Sequence, residues 1–308
     1  MSSPPASPFM ANQTLSYLKR RFEEVGLRLQ SRHGQNFLID LNLLRVLVEA
    51  ADLSHDDVVL EVGTGVGSLT SLVAPHVSHV VTVEIDPRLF QLASEELIDF
   101  NNITMLNLDA LAGKHTIDPA VLTAIHERLN KAPSRRFKLV ANLPYNVATP
   151  LISNLLELDR PPERMTITIQ KELADRLAAQ PSTKDYSALS LWVQCQCRVE
   201  LLRVMPPTVF WPRPKVHSAI VQITLEPDRR AAVGDRKFFH DFVRKPFLHR
   251  RKNLRGALLA SFKGQLDKPQ IDDLLARLQL GENARAEELS VSQMLALANA
   301  ARAHLHSI

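Results

Sequence analysis

Val58–Thr70 reads VVLEVGTGVGSLT, an apolar run that passes through Gly63, Gly65 and Gly67 into a helical pattern. Glycine lets the backbone turn sharply and lets a ligand approach where a Cβ would intrude, and a helix start just beyond favours an anionic group. The spacing is GxGxG, and the sixth position of a dinucleotide fingerprint falls on Ser68 where Gly or Ala is usual, which disfavours NAD. Seventeen residues past Gly67, Glu84 closes a second strand-like run in VVTVEIDP. A carboxylate there can accept from both hydroxyls of an adenosine ribose. Loop and carboxylate together indicate a nucleoside cofactor without saying which one.

Outward from this core, strand-like runs alternate with helical ones: Val58–Val62, Val80–Ile85, Ile103–Leu108, Phe137–Ala141, Met165–Ile169, Cys195–Val204 and Ser218–Leu225. The connections among the first five are long enough for crossover helices, which predicts a mainly parallel, doubly wound α/β sheet. The last two are joined by MPPTVFWPRPKVH (Met205–His217), whose four prolines disfavour a helix and predict an antiparallel return. Such a seven-stranded sheet distinguishes a methyltransferase from a dinucleotide-binding fold. Before the sheet, Leu15, Leu18, Phe22, Val25 and Leu29 follow the spacing of an amphipathic helix. Beyond Leu225 only helical patterns occur. The predicted organisation is a loose N-terminal extension (1–11), a catalytic domain (12–228) and a small helical domain (229–308).

The chain has 308 residues, 45% hydrophobic and 23% charged, which excludes a fibre or a disordered tail. Its net charge of +4 is unevenly spread. From Arg230 onward 14 Lys+Arg face 8 Asp+Glu, against 23 and 25 before it, so the basic charge gathers at the C-terminal end and points to a polyanion. The segment RKPFLHRRKNLR (Arg244–Arg255) holds six Lys/Arg in twelve residues. If it is helical after Pro246, Arg251 and Arg255 share one face and Arg250 lies on another, with Lys252 beside them. No uncharged apolar stretch reaches the roughly 18 residues of a membrane span, and the first ten residues lack the layout of a secretory signal. Cys195 and Cys197 alternate along one strand-like run, poor geometry for a disulfide. A cytoplasmic protein is expected. The histidines show no metal-ligand spacing, so no metal is expected.

The chemistry is carried by Asn142-Leu143-Pro144-Tyr145, after the fourth strand. An exocyclic base amine is a poor nucleophile because its lone pair is delocalised, so an enzyme must accept from both N–H groups and aim the lone pair at a methyl donor. The Asn142 side-chain oxygen and the Pro144 carbonyl suit that task, and the Tyr145 ring can stack on the base. Asp109, in LNLDAL, can accept from an adenine amine of the cofactor. Trp192 reads as core, and Trp211 as either core or base-stacking.

These segments, with GQNFLID (Gly34–Asp40), IQKELADRLAAQPSTKDYSALSLWVQ (Ile169–Gln194), FWPRPKVHSAIVQI (Phe210–Ile223) and FLHRRKNLRGAL (Phe247–Leu258), resemble in order the small-subunit ribosomal RNA adenine dimethyltransferase family. The resemblance implies a Rossmann-like class I methyltransferase that uses S-adenosyl-L-methionine. It implies cofactor contacts at Asn36, Leu38, Gly63, Gly65, Glu84, Asp109 and Asn142, and Phe210 as the aromatic that sandwiches the target adenine against Tyr145. It also raises the RNA-binding reading of Arg250, Arg251, Lys252 and Arg255. The implied substrate is two adjacent adenines in the 3′-terminal hairpin loop of small-subunit RNA, in an assembly intermediate, modified by a monomer. The alternatives are a large-subunit RNA methyltransferase of the antibiotic-resistance type and an assembly factor with little catalysis. Thr64, Ser187 and Gly256 depart from the residues frequent in the family, and Pro246 is expected to kink or start a helix.

Overall fold

The computed structural model describes residues 15–24, 26, 36–114, 116–249, 252–281 and 283–305. The expected extension at residues 1–11 lies outside them. Among the described residues there are eleven strands: β1 (Phe37–Leu38), β2 (Asp57–Val62), β3 (His79–Val83), β4 (Ile103–Leu106), β5 (Leu111–Gly113), β6 (Thr116–Ile117), β7 (Arg136–Asn142), β8 (Arg164–Gln170), β9 (Cys197–Met205), β10 (Phe210–Trp211) and β11 (Ser218–Leu225). The helices are α1 (Leu15–Glu24), α2 (Leu41–Ala50), α3 (Ser68–Val73), α4 (Pro87–Glu96), α5 (Pro119–Leu129), α6 (Ala148–Glu157), α7 (Lys171–Ala178) and α8 (Ala188–Gln194). Five more follow: α9 (Pro227–Ala232), α10 (Arg236–Phe247), α11 (Leu254–Ser261), α12 (Lys268–Arg277) and α13 (Val291–Leu305).

All seven expected strands form one sheet in the order β4-β3-β2-β7-β8-β11-β9. From β4 to β8 the pairing is parallel, with Leu60 of β2 opposite Val81 on one side and Leu139 on the other. Every residue of β2 and β3 is buried, the mark of a parallel sheet covered on both faces. The chain runs outward from β2 to β4 and then returns to β7 on the other side of β2. That reversal opens a crevice at the carboxyl ends of β2 and β7, where α/β sheets hold ligands.

The chain divides into two compact units, Met1–Lys171 with Glu200–Ile223, and Glu172–Val199 with Thr224–Ile308. The second unit therefore takes in residues 172–199, which the sequence reading placed in the first domain. Within it Trp192 is buried and stacks on His240 at 4.4 Å, and the Tyr186 hydroxyl donates to the Leu289 carbonyl. These long-range contacts carry no local sequence signal, which is why a boundary near 228 looked sufficient. Cys195 caps α8 and Cys197 opens β9, so the two do not share a strand as expected. Ser187 has extended backbone and caps α8 by a reciprocal pair of bonds with Ser190, so the departure from glycine is accommodated there.

Pro246 is the penultimate residue of α10, so it lies at the end of a helix and does not start one. A new helix, α11, begins at Leu254 behind the cap of Asn253. The helix expected to run on past Pro246 ends at Phe247, and Arg251, expected to share a face with Arg255, lies outside the described residues. Among the described residues no helix is long and apolar enough to cross a membrane.

Candidate active site

The glycine loop sits at the carboxyl end of β2. Gly63, Gly65 and Gly67 have φ of +89°, +58° and +84°, a region costly for any residue with a Cβ. A Cβ at Gly65 would lie 3.0 Å from the Phe37 ring, and one at Gly63 would lie 3.2 Å from Pro144. The loop is thus pressed between the GQNFL and NLPY segments. The Gly63 and Thr64 amides both donate to the Val83 carbonyl, which ties the loop to β3. The helix that follows, α3, has only six residues, so its dipole is shorter than the sequence pattern suggested.

Glu84, 4% exposed, accepts at Oε2 from the Gly65 amide at 2.9 Å and at Oε1 from the Asp86 amide at 3.0 Å. Burial pushes its carboxyl above the usual range, and those two amides oppose the shift. The Ile85 amide opposes it too, and the carboxylate, with four lone pairs, shapes the loop and keeps acceptor capacity for a ligand hydroxyl. Asp109 accepts from the Leu111 amide at 2.9 Å, forming a turn, and its other oxygen is the one left for a ligand.

Asn142 closes β7 and donates Nδ2 to the Asn36 carbonyl at 2.9 Å. This bond assigns the two ends of the amide and leaves Oδ1 as the acceptor a ligand can use. The Pro144 carbonyl already accepts from the Val147 amide at 3.1 Å, so only its second lone pair can take a base amine. The Tyr145 hydroxyl lies 2.6 Å from the Ser218 hydroxyl, and burial raises its pKa.

One cavity of about 1160 Å³, counted to its open mouth, gathers these parts. Asn36, Leu38, Gly63, Gly65, Glu84, Asp109 and Asn142 all line it, as does Pro144. Tyr145 and Phe210 are not on its wall. Phe210, 3% exposed, packs in a core cluster with Leu38 and Ile220. Its place in the expected adenine sandwich is therefore not formed here. The reason is register: β10 pairs with β1, Phe210 opposite Leu38 and Trp211 opposite Phe37, and the pairing draws the Phe210 ring into the core. Trp211 packs 5.4 Å from Phe22, on the core side of the two readings weighed for it.

Among the wall residues that sequence reasoning did not single out are Leu18, Ile85 and Glu61. Ile85 is 46% exposed beside Glu84, and an apolar side chain left in the open at a strand end was the available signal. Glu61 is 3% exposed and accepts from the hydroxyls of Thr70 and Thr82. Desolvation pushes its carboxyl up to about 8. An acidic residue inside an apolar strand was the clue there.

Of the proposed RNA-contact residues, Arg250 and Arg251 lie outside the described residues. Lys252 is exposed. Arg255 forms a two-pronged ion pair with Asp272 at the surface, with Nη2 to Oδ2 at 2.8 Å, which links α11 to α12. Asp272, four residues into α12, gave no hint of this partner in the sequence.

The sequence pattern of the ribosomal RNA adenine dimethylase family matches residues 26–302. The chain belongs to that family. Among its relatives, the ribosomal RNA small subunit methyltransferase A of Lactiplantibacillus plantarum is 41% identical over 276 residues, covering 89% of this chain and 90% of the relative. The enzyme of the same name from Halothermothrix orenii is 38% identical over 275 residues, 89% and 88% of the two chains. A crystal structure of a dimethyladenosine transferase from Plasmodium falciparum shares the fold at a TM-score of 0.70 and 24% identity, covering 84% of this chain and 94% of that one. A 23S rRNA methyltransferase, ErmE, superposes at a TM-score of 0.61 with 25% identity, covering 86% and 99%.

The cofactor of the dimethylase family is S-adenosyl-L-methionine, and the cavity suits it. Glu84 offers acceptors for a ribose diol, Ile85 an apolar surface for an adenine, and Asp109 an acceptor for the adenine amine. The cradle at Gly63 and Gly65 leaves no room for a side chain.

Proposed function

We propose that this protein transfers methyl groups to adenine N6 in small-subunit ribosomal RNA, twice on each of two adjacent adenines in the 3′-terminal hairpin loop of an assembly intermediate. The observation that carries this reading is the Asn142 amide, whose nitrogen is used by Asn36 and whose oxygen is left as an acceptor at the wall of the cavity that Glu84 and Asp109 also line. When bound, S-adenosyl-L-methionine supplies an electrophilic methyl group. Asn142 Oδ1 and the second lone pair of the Pro144 carbonyl accept the two N–H groups of the target amine, which turns its lone pair toward the cavity. A neutral Asn suffices because the nitrogen sheds its proton readily once alkylated. The Tyr145 ring holds the base after it leaves the stack, so a loop adenine is the easier substrate. No step calls for a metal. The candidate catalytic and cofactor residues come from a single compact unit of one chain, and the reading is of a monomer that acts in the cytoplasm.

The test incubates the purified protein and S-adenosyl-L-methionine with small subunits that lack adenine dimethylation, then maps methylated adenosines by fragment mass spectrometry. N6,N6-dimethyladenosine in the 3′-terminal hairpin is the expected product. The likeness to ErmE makes naked large-subunit RNA the necessary control, and modification there alone overturns the small-subunit assignment. Asn142→Ala is expected to reduce methylation by at least about a hundredfold while subunit binding survives. Tight subunit binding with no methylation by the unsubstituted protein leaves the assembly-factor reading.

A further inference from the structure

Tyr145 and Ser218 are 73 residues apart, yet their hydroxyl oxygens meet at 2.6 Å. Ser218 is fully buried at the first position of β11, directly after the exposed loop residues Lys215, Val216 and His217. The backbone at that point is fixed as well: the His217 carbonyl accepts from the Lys171 amide at 3.0 Å. At the other end of the pair, Tyr145 belongs to a tight turn in which the Val147 amide donates to the Pro144 carbonyl, and Pro144 itself abuts the glycine loop. A tyrosine ring held only at its Cα swings about χ1 and χ2. One held also at its hydroxyl does not.

We infer that Ser218 is a positioning residue that locks the plane of the Tyr145 ring through this hydroxyl pair, and so sets how the target adenine is presented. The inference deepens the proposed function and rests on its reading of Tyr145 as the ring that meets the base. Neither residue contributes a proton to the reaction. The bond acts by removing ring rotations that would move the amine off line, and it matters most in the second transfer, when the amine already carries one methyl group and has less clearance. Phe210 does not occupy the second face of a sandwich in this structure, so the hydroxyl pair is the restraint that the structure does provide.

The experiment uses the full chain in five forms: unsubstituted, Tyr145→Ala, Tyr145→Phe, Ser218→Ala and the double Tyr145→Phe/Ser218→Ala. Undimethylated small subunits serve as substrate. For each, kcat, KM for subunits, calorimetric affinity for S-adenosyl-L-methionine, melting temperature and the ratio of N6-methyladenosine to N6,N6-dimethyladenosine are measured. Tyr145→Ala tests the underlying reading, and undiminished methylation by it means the ring does not meet the base. Given that loss, Tyr145→Phe and Ser218→Ala are each expected to lower kcat about three- to tenfold, the worth of one neutral hydrogen bond. Both raise the monomethyl fraction alike and leave cofactor affinity unchanged, and the double variant falls no further than either single one. Losses that multiply in the double variant, or a Ser218→Ala defect with Tyr145→Phe behaving as the unsubstituted protein, overturn the inference. Should Ser218→Ala melt too low to assay, Tyr145→Phe reads the same bond from its more exposed end. An unchanged product ratio in Tyr145→Phe then overturns it.

Discussion

Glu61 and Glu84 sit at the ends of neighbouring strands, and their surroundings give them different duties. Glu84 is ringed by amide donors, and Glu84→Ala removes both the ribose acceptor and the Gly65 tether. Its affinity for S-adenosyl-L-methionine is expected to fall by at least about tenfold in calorimetry, since hydrogen bonds to a charged group exceed 1 kcal/mol. Unchanged affinity would separate Glu84 from the cofactor. Glu61 receives only the two threonine hydroxyls and faces Glu84, so burial dominates and its carboxyl titrates at about 8. The folded state therefore holds a proton that the unfolded chain releases at about 4.5. Between those values stability declines as pH rises, by at most about 1.4 kcal/mol per pH unit. Glu61→Gln keeps the acceptor for both threonines and does not titrate. The two proteins are expected to melt together near pH 5, with the variant melting higher near pH 8. Melting curves that stay parallel across that range would show that Glu61 is ionised throughout.

At the scale of elements, α1 shows how a helix can serve a cavity it does not otherwise belong to. Its Leu18 reaches the cavity wall while Phe22 lies 5.4 Å from both Phe37 and Trp211. Tyr17 donates to Glu96 at 2.6 Å, and Arg21 pairs with Glu95 at 2.9 Å. Partly exposed ion pairs contribute up to about 1 kcal/mol, whereas truncating a buried phenylalanine costs about 3–5 kcal/mol. Phe22→Ala is accordingly expected to weaken S-adenosyl-L-methionine binding by more than about tenfold, and Arg21→Glu by less than about threefold. The reverse ranking would mean that charge, not the aromatic cluster, holds α1 in place. The helix itself was legible in the sequence because its apolar residues keep a regular spacing. The central strands β2, β3, β7 and β8 were legible because a parallel sheet buried on both faces demands continuous apolar runs. What was not legible is what depends on distant pairing. β1 and β10 are two residues each and define each other across more than 170 positions, so nothing local marked them or warned that Phe210 would turn into the core. Ser218 reads as an unremarked small residue until the fold places Tyr145 beside it.

Across the whole molecule the two units divide charge as well as structure: the one that contains the cavity carries a net −1 by sequence and the other +5. A unit with no cavity role and an excess of cations has the composition of a polyanion-binding surface. Some of its cations are held by carboxylates already counted in that net charge, Arg255 by Asp272 and Arg277 by Asp273, and the phosphate-contact candidates include Lys252 and, by sequence, its neighbours Arg250 and Arg251. Electrostatic contacts to phosphate have a measurable signature, because each one releases counterions and steepens the dependence of binding on salt by about 0.7–0.9 in a log–log plot. Replacing Arg250, Arg251 and Lys252 by Glu is therefore expected to weaken subunit binding and to make that slope shallower by up to about 2–3. Affinity for S-adenosyl-L-methionine is expected to stay as it is; of the three, Lys252 is described and does not line the cavity. Arg255→Glu tests the opposite case, because its partner is already Asp272: it is expected to lower the melting temperature of the protein while leaving the salt slope unchanged. A triple variant with the unsubstituted slope would remove this cationic run from the RNA interface and turn attention to Arg213 and Lys215, both exposed in the loop before β11.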